Sequence, residues 1–142
     1  MIDQTAYALL FTVACVGISE TAYLIRKRVA MSVPVCPLNG NCELVLTSKY
    51  NKSFGVYNDI SGLFFYIFFA VMAAVLVIDG SIVNFYTAWI IWTSQLALVV
   101  ASLMSLRFIY LQWQVIKAWC FWCLMSAGTV LLMDIIMVRA IF

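Results

Sequence analysis

Apolar positions along the chain gather into four long runs, Ala6 to Ile25, Ile60 to Ile78, Val83 to Leu106 and Ala118 to Val138, each broken by only a few polar residues. A bilayer core about 30 Å thick needs roughly 20 residues at about 1.5 Å of helical rise, and each run meets that length. Polar residues concentrate between the runs. A long segment extends from Arg26 to Asp59, Asp79-Gly80-Ser81-Ile82 reads as a tight turn, and Arg107 to Lys117 as a short, half-apolar link. Without water, backbone groups inside a bilayer must be satisfied within the segment, and no series of short alternating strands is present to close a barrel. The predicted fold class is an all-α membrane protein: a four-transmembrane-helix bundle forming one domain over residues 1–142, with spans 6–25, 60–78, 83–106 and 118–138 and one long loop, 26–59.

Composition agrees. Of 142 residues, 66% are hydrophobic and 10% charged, and the mean hydropathy of +1.07 lies outside the range of soluble domains. No basic stretch precedes the first run and no small-residue cleavage pattern follows it, so the first span is expected to stay in the mature chain. Chemistry should gather on the face that carries the long loop. There Pro34 and Pro37 flank Cys36, Asn39-Gly40-Asn41 signals a turn, and Cys42 follows. Glu43 to Tyr50 is expected to form a short helix lying flat on the bundle, with Leu44, Val45 and Leu46 against the membrane interface.

Two spans separate the long loop from the link before the fourth helix, so both lie on one face and Cys36, Cys42, Cys120 and Cys123 are expected to meet there. Cys15 sits mid-helix and reads as a small apolar filler. Four clustered cysteines admit three readings. A four-thiolate zinc site is one, but the loop pair is spaced too widely for a tight knuckle and metal does not explain a pair on a membrane helix. Static structural disulfides are another. The third is redox chemistry. Cys120 and Cys123, with two residues between them in Trp119-Cys120-Phe121-Trp122-Cys123 at a helix N-terminus, have the arrangement in which unpaired N–H groups favour a thiolate, which makes the pair exchange-active.

These residues, over nearly the whole chain, resemble the vitamin K epoxide reductase family of quinone-linked thiol oxidoreductases, in the form of a prokaryotic homologue without a fused thioredoxin-like domain. Cys42-Glu43-Leu44-Val45-Leu46-Thr47-Ser48-Lys49-Tyr50, ending in Phe54-Gly55, is similar to the family's loop, with Ser48 on its serine. Asn58-Asp59-Ile60-Ser61-Gly62 is similar to the pattern whose asparagine hydrogen-bonds a quinone carbonyl, a role the resemblance gives to Asn58. Ala127 stands where vertebrate members have a tyrosine, which favours plain quinone reduction over use of vitamin K epoxide. The bacterial quinone-coupled oxidases, another four-span disulfide-generating family, carry their two cysteine pairs in the reverse order.

The resemblance implies a role for each cysteine. Cys36 and Cys42 take electrons from a thioredoxin-fold thiol protein in trans, Cys42 attacks Cys120, and Cys123 passes the electrons to ubiquinone or menaquinone arriving from lipid. Ser48, Phe54, Asn58, Tyr66 and Trp122 are the candidate quinone-binding residues. Glu20, roughly 9 Å below the loop end of its helix, is the nearest buried acid for a proton-donor role, its alternative being a pair with Lys27. Asp134 and Arg139 read as a charge pair or snorkelling groups at the far interface. Expected partners are the lipid bilayer and the thiol protein, with no nucleic acid and no metal. The non-enzymatic alternative is a membrane scaffold held by structural disulfides or a four-cysteine metal site. Arg26, Lys27, Arg28, Lys49, Lys52, Arg107 and Lys117 fall on the cysteine face and only Arg139 on the other. The positive-inside rule therefore turns the cysteines towards the cytoplasm, inverted relative to usual family members, with a periplasmic or extracellular face as the alternative.

Overall fold

The computed structural model describes residues 4–78 and 85–142. In chain order they form helix α1 (Gln4–Val29), a short α2 (Cys42–Leu46), a 3₁₀ turn (Lys49–Asn51), a hairpin of β1 (Lys52–Ser53) and β2 (Val56–Tyr57), helix α3 (Asn58–Ile78), helix α4 (Phe85–Tyr110), a π-helical turn (Leu111–Ile116) and helix α5 (Phe121–Ile141). Four of these helices are long and apolar enough to cross a membrane. The expected Asp79–Ile82 turn lies outside the described residues.

Helix α1 is the centre of the bundle and packs along both α3 and α5. Among its buried residues, Tyr7, Leu10, Ala14, Gly17, Thr21 and Leu24 follow alternating spacings of three and four, the seam of a left-handed helix pair. Helix α3 answers with Tyr66, Phe69, Ala73 and Leu76 and α5 with Val130, Met133 and Met137, all buried. Lipid supplies no hydrophobic drive between helices, so close approach through small residues takes its place. Gly17 is the clearest case, because a Cβ there would stand 2.4 Å from the Tyr66 ring.

Helix α4 leans on α5 and the π turn and touches α3 only sparsely, which leaves a gap on one side of the bundle. Between α4 and α5 Asp134 accepts a hydrogen bond from the Ser102 hydroxyl, so it serves as an interhelical tie where a charge pair with Arg139 or snorkelling at the far interface was expected. On the cysteine face Arg28 and Asp59 form a two-bond ion pair of 3.0 and 3.2 Å between the end of α1 and the start of α3, with the guanidinium 3.9 Å over the Tyr57 ring.

Two boundaries differ from the hydropathy pattern for a physical reason. Arg26 to Arg28 continue α1, because a cationic last turn suits the negative end of the helix. The stretch expected as a link from Arg107 is helical through Ile116, since its polar side chains reach the interface while the backbone keeps its hydrogen bonds inside the helix. The fourth span consequently opens at Phe121. The short loop helix is confined to Cys42–Leu46, with Val45 turned inward and Leu44 half exposed.

Gly17→Ala should lower the stability of the purified protein by about 1–3 kcal/mol, because the Tyr66 ring must leave its well. Gly128→Ala, where an added Cβ meets nothing within 4 Å, should leave it unchanged. Thermal unfolding in detergent checks both, and an unaltered midpoint for Gly17→Ala would show that the ring swings aside freely.

Candidate active site

The loop after α1 is pinned above the bundle by contacts to the start of α5. The Trp119 carbonyl accepts from Asn41 N–H at 2.9 Å, and the Trp122 indole donates to the Val35 carbonyl at 2.7 Å. The Val35 N–H in turn donates to the Tyr23 hydroxyl at 3.1 Å, and the Tyr23 and Trp122 rings lie 4.6 Å apart. Gly40 is required here: a Cβ would come 2.8 Å from the Trp119 carbonyl and 2.9 Å from the Cys36 sulfur. Asn41 then opens α2 as its N-cap, its side chain accepting from Leu44 N–H.

This pinning brings the four cysteines together. Cys36 and Cys42 are joined in a disulfide. Cys42 is buried with Val45, Ala118 and Cys120 in a small apolar cluster of its own, against which Cys36 and Cys123 pack. Cys120 and Cys123 are free thiols. With two of the four sulfurs bonded to each other, they do not form a tetrahedral thiolate set. Among the described residues no group of three or more metal-ligating side chains is placed to hold an ion.

Cys120 is the N-cap of α5, and its sulfur accepts from the Cys123 N–H at 3.4 Å. The Cys123 thiol hydrogen-bonds the same sulfur and pulls the Cys120 thiol below the usual cysteine range, an effect opposed by burial and supported by the backbone N–H groups of Cys123 and Trp122. A thiolate held in this way is a good leaving group in disulfide exchange.

Below the loop lies a cavity of about 610 Å³ lined by α1, α3, α4, the π turn and α5, at the gap where α4 stands apart from α3. Ser48, Phe54, Asn58, Tyr66 and Trp122, all named from the sequence, line it, as does Cys123, whereas Cys120 does not. Their own contacts differ. The Ser48 hydroxyl donates to the Val45 carbonyl at 2.7 Å and the Asn58 amide to the Tyr50 carbonyl at 3.0 Å. Tyr66 Oη lies 2.8 Å from the Ser126 hydroxyl. Phe54, in the left-handed region at φ 54, is fully exposed at the rim. Glu20 is buried but absent from the lining. Its carboxylate accepts from the Thr129 hydroxyl at 3.3 Å, and Lys27 instead lies over the Tyr23 ring, so the alternative of a Glu20–Lys27 pair is not what the structure shows.

Sequence reasoning missed Gln112 and Ser126. Gln112 is 2% exposed, lines the cavity and accepts the Cys120 N–H on Oε1 at 2.8 Å. Its only signal was an amide among Leu111, Trp113 and Val115, eight residues before Cys120.

The arrangement holds a disulfide in the loop, a free dithiol packed against it and an apolar chamber lined by Cys123, a geometry suited to thiol–disulfide exchange. The family model of the Vitamin K epoxide reductase family matches residues 8–138. No curated protein matches the chain.

With Cys15 replaced by serine and the loop disulfide intact, the ultraviolet absorbance of thiolate should rise with a first midpoint below about 8.5, the ordinary cysteine value. A depressed pKa keeps the thiolate down to lower pH and loses it only below that midpoint. Cys123→Ala should move the step upward by removing the donor. A first midpoint at or above the ordinary value would mean that the capped helix end does not hold a thiolate.

Proposed function

We propose, from the premise that the chain belongs to the vitamin K epoxide reductase family, that this multi-pass membrane thiol oxidoreductase transfers electrons from a thioredoxin-like partner to a quinone and so drives disulfide formation. The observation that carries this reading is the position of Cys120, buried against Cys42 on one side and on the other accepting on its sulfur the N–H of Cys123, a residue that lines the cavity.

The partner's dithiol first reduces the Cys36–Cys42 disulfide and is itself oxidised. Cys42 thiolate then attacks Cys120 in the oxidised membrane pair, forming a Cys42–Cys120 bond and releasing Cys123 as thiolate. Cys36 attacks Cys42, the loop disulfide re-forms, and Cys120 departs. Its depressed pKa favours that departure. The reduced pair finally gives two electrons and two protons to the quinone, which leaves as hydroquinone, and Cys120 and Cys123 close their disulfide again. The net change is partner dithiol plus quinone to partner disulfide plus hydroquinone.

In the cavity Asn58 and Tyr66 offer polar groups to the ring oxygens, Trp122 and Phe54 offer aromatic surface, and Ser48 supports the loop end above them. A large apolar chamber with few polar groups suits a quinone ring, here ubiquinone or menaquinone. The cysteine face is assigned to the cytoplasm, because seven basic residues on that face against one on the other is a strong bias under the positive-inside rule.

Anaerobic assay in detergent, with a reduced thioredoxin-fold protein as donor, should show reduction of ubiquinone or menaquinone that Cys123→Ser abolishes. A scaffold with static disulfides would give no turnover with any quinone. For orientation, alkaline phosphatase fused after Phe142 should be active, since the end of α5 would lie outside. An inactive phosphatase paired with a bright cytoplasmic fluorescent fusion would reverse the assignment.

A further inference from the structure

Gln112 is a buried polar side chain that the mechanism above leaves without a part. It sits in the π turn, and its backbone carbonyl accepts the N–H groups of both Lys117 and Ala118, while its side-chain Oε1 accepts that of Cys120. Lys117, at φ 55, is held in the left-handed region that residues with a Cβ rarely adopt. A single residue therefore closes the break between α4 and α5 and sets where the Cys120 cap stands.

Only the oxygen of an amide accepts from a backbone N–H, so the Gln112 orientation follows from its bond to Cys120. The Nε2 group then has two hydrogens and no acceptor among the described residues. Every fully enclosed side-chain nitrogen or oxygen among those residues has a partner, so the unpartnered Nε2 keeps some access to its surroundings although the residue is only 2% exposed, and Gln112 lines the cavity together with Cys123.

We infer that Gln112 is a ligand-binding and positioning residue: Nε2 donates to a ring carbonyl of the quinone while Oε1 holds the Cys120 N–H, so that one amide ties the acceptor to the dithiol that reduces it. This rests on the proposed quinone reduction. Polarisation through the amide strengthens both bonds together, and a donor in the cavity that Cys123 also lines would meet the negative charge that develops on the oxygen as the ring is reduced.

The test compares two acceptors. Gln112→Met should raise the KM for a short-chain ubiquinone about tenfold, the worth of one hydrogen bond. It should leave the KM for phenazine methosulfate, which has no carbonyl, within about twofold of native. Gln112→Glu, assayed at alkaline pH, keeps an oxygen for Cys120 and nearly the native shape but offers no donor when ionised. It should show the same selective loss and stands in if the methionine variant does not fold. Equal rises for both acceptors would reduce Gln112 to a support for Cys120 and overturn the inference, as would no rise for either. A native chain that reduces no quinone would remove the underlying reading and this inference with it.

Discussion

Backbone N–H groups must be satisfied where water is absent, and the structure depends most on this constraint at the break between α4 and α5. A dithiol at a helix N-terminus requires the chain to stop being helical just before it, which exposes the N–H groups of Lys117, Ala118 and Cys120 at the edge of the apolar phase. All three converge on Gln112, two on its carbonyl and one on its side chain. The π turn makes this possible, because widening one turn of helix frees a carbonyl that an α-helix would use internally. The depressed pKa of Cys120 and its closeness to Cys42 follow from that stop.

Polar groups elsewhere in the bundle are handled in the same economical way. Glu20 meets Thr129 across α1 and α5, Asp134 meets Ser102 across α4 and α5, and Tyr66 meets Ser126 across α3 and α5. Each of these ties ends on α5, the helix that carries Cys123. Small residues such as Ala14, Gly17 and Ala73 let α1 and α3 approach closely, and the sparse packing of α4 on α3 leaves the opening that becomes the cavity.

The architecture was largely legible before any coordinates, because a bilayer demands runs of about 20 apolar residues and such runs survive simple inspection. Convergence of the four cysteines was legible too, from the parity of the spans, and the cavity gathers Ser48, Phe54, Asn58, Tyr66 and Trp122. The partners of the ionisable groups were not. Glu20 and Thr129 are 109 residues apart and Arg28 and Asp59 are 31 apart, so their pairing depends on helix rotation, which hydropathy does not encode. Gln112 was hidden for a different reason. Its meaning depends on a one-residue change of helical register, and the polar residues around it resemble an ordinary connecting link.

Trp122 belongs to two compartments at once. Its indole N–H latches the loop through Val35, and the same residue forms part of the cavity lining. Under the proposed function, lifting the loop to expose Cys36 and Cys42 to a partner protein thus removes an anchor from the surface that receives the quinone. The two half-reactions of the proposed function would draw on different solvents yet share this one side chain, so each would leave its imprint on the shape presented to the other.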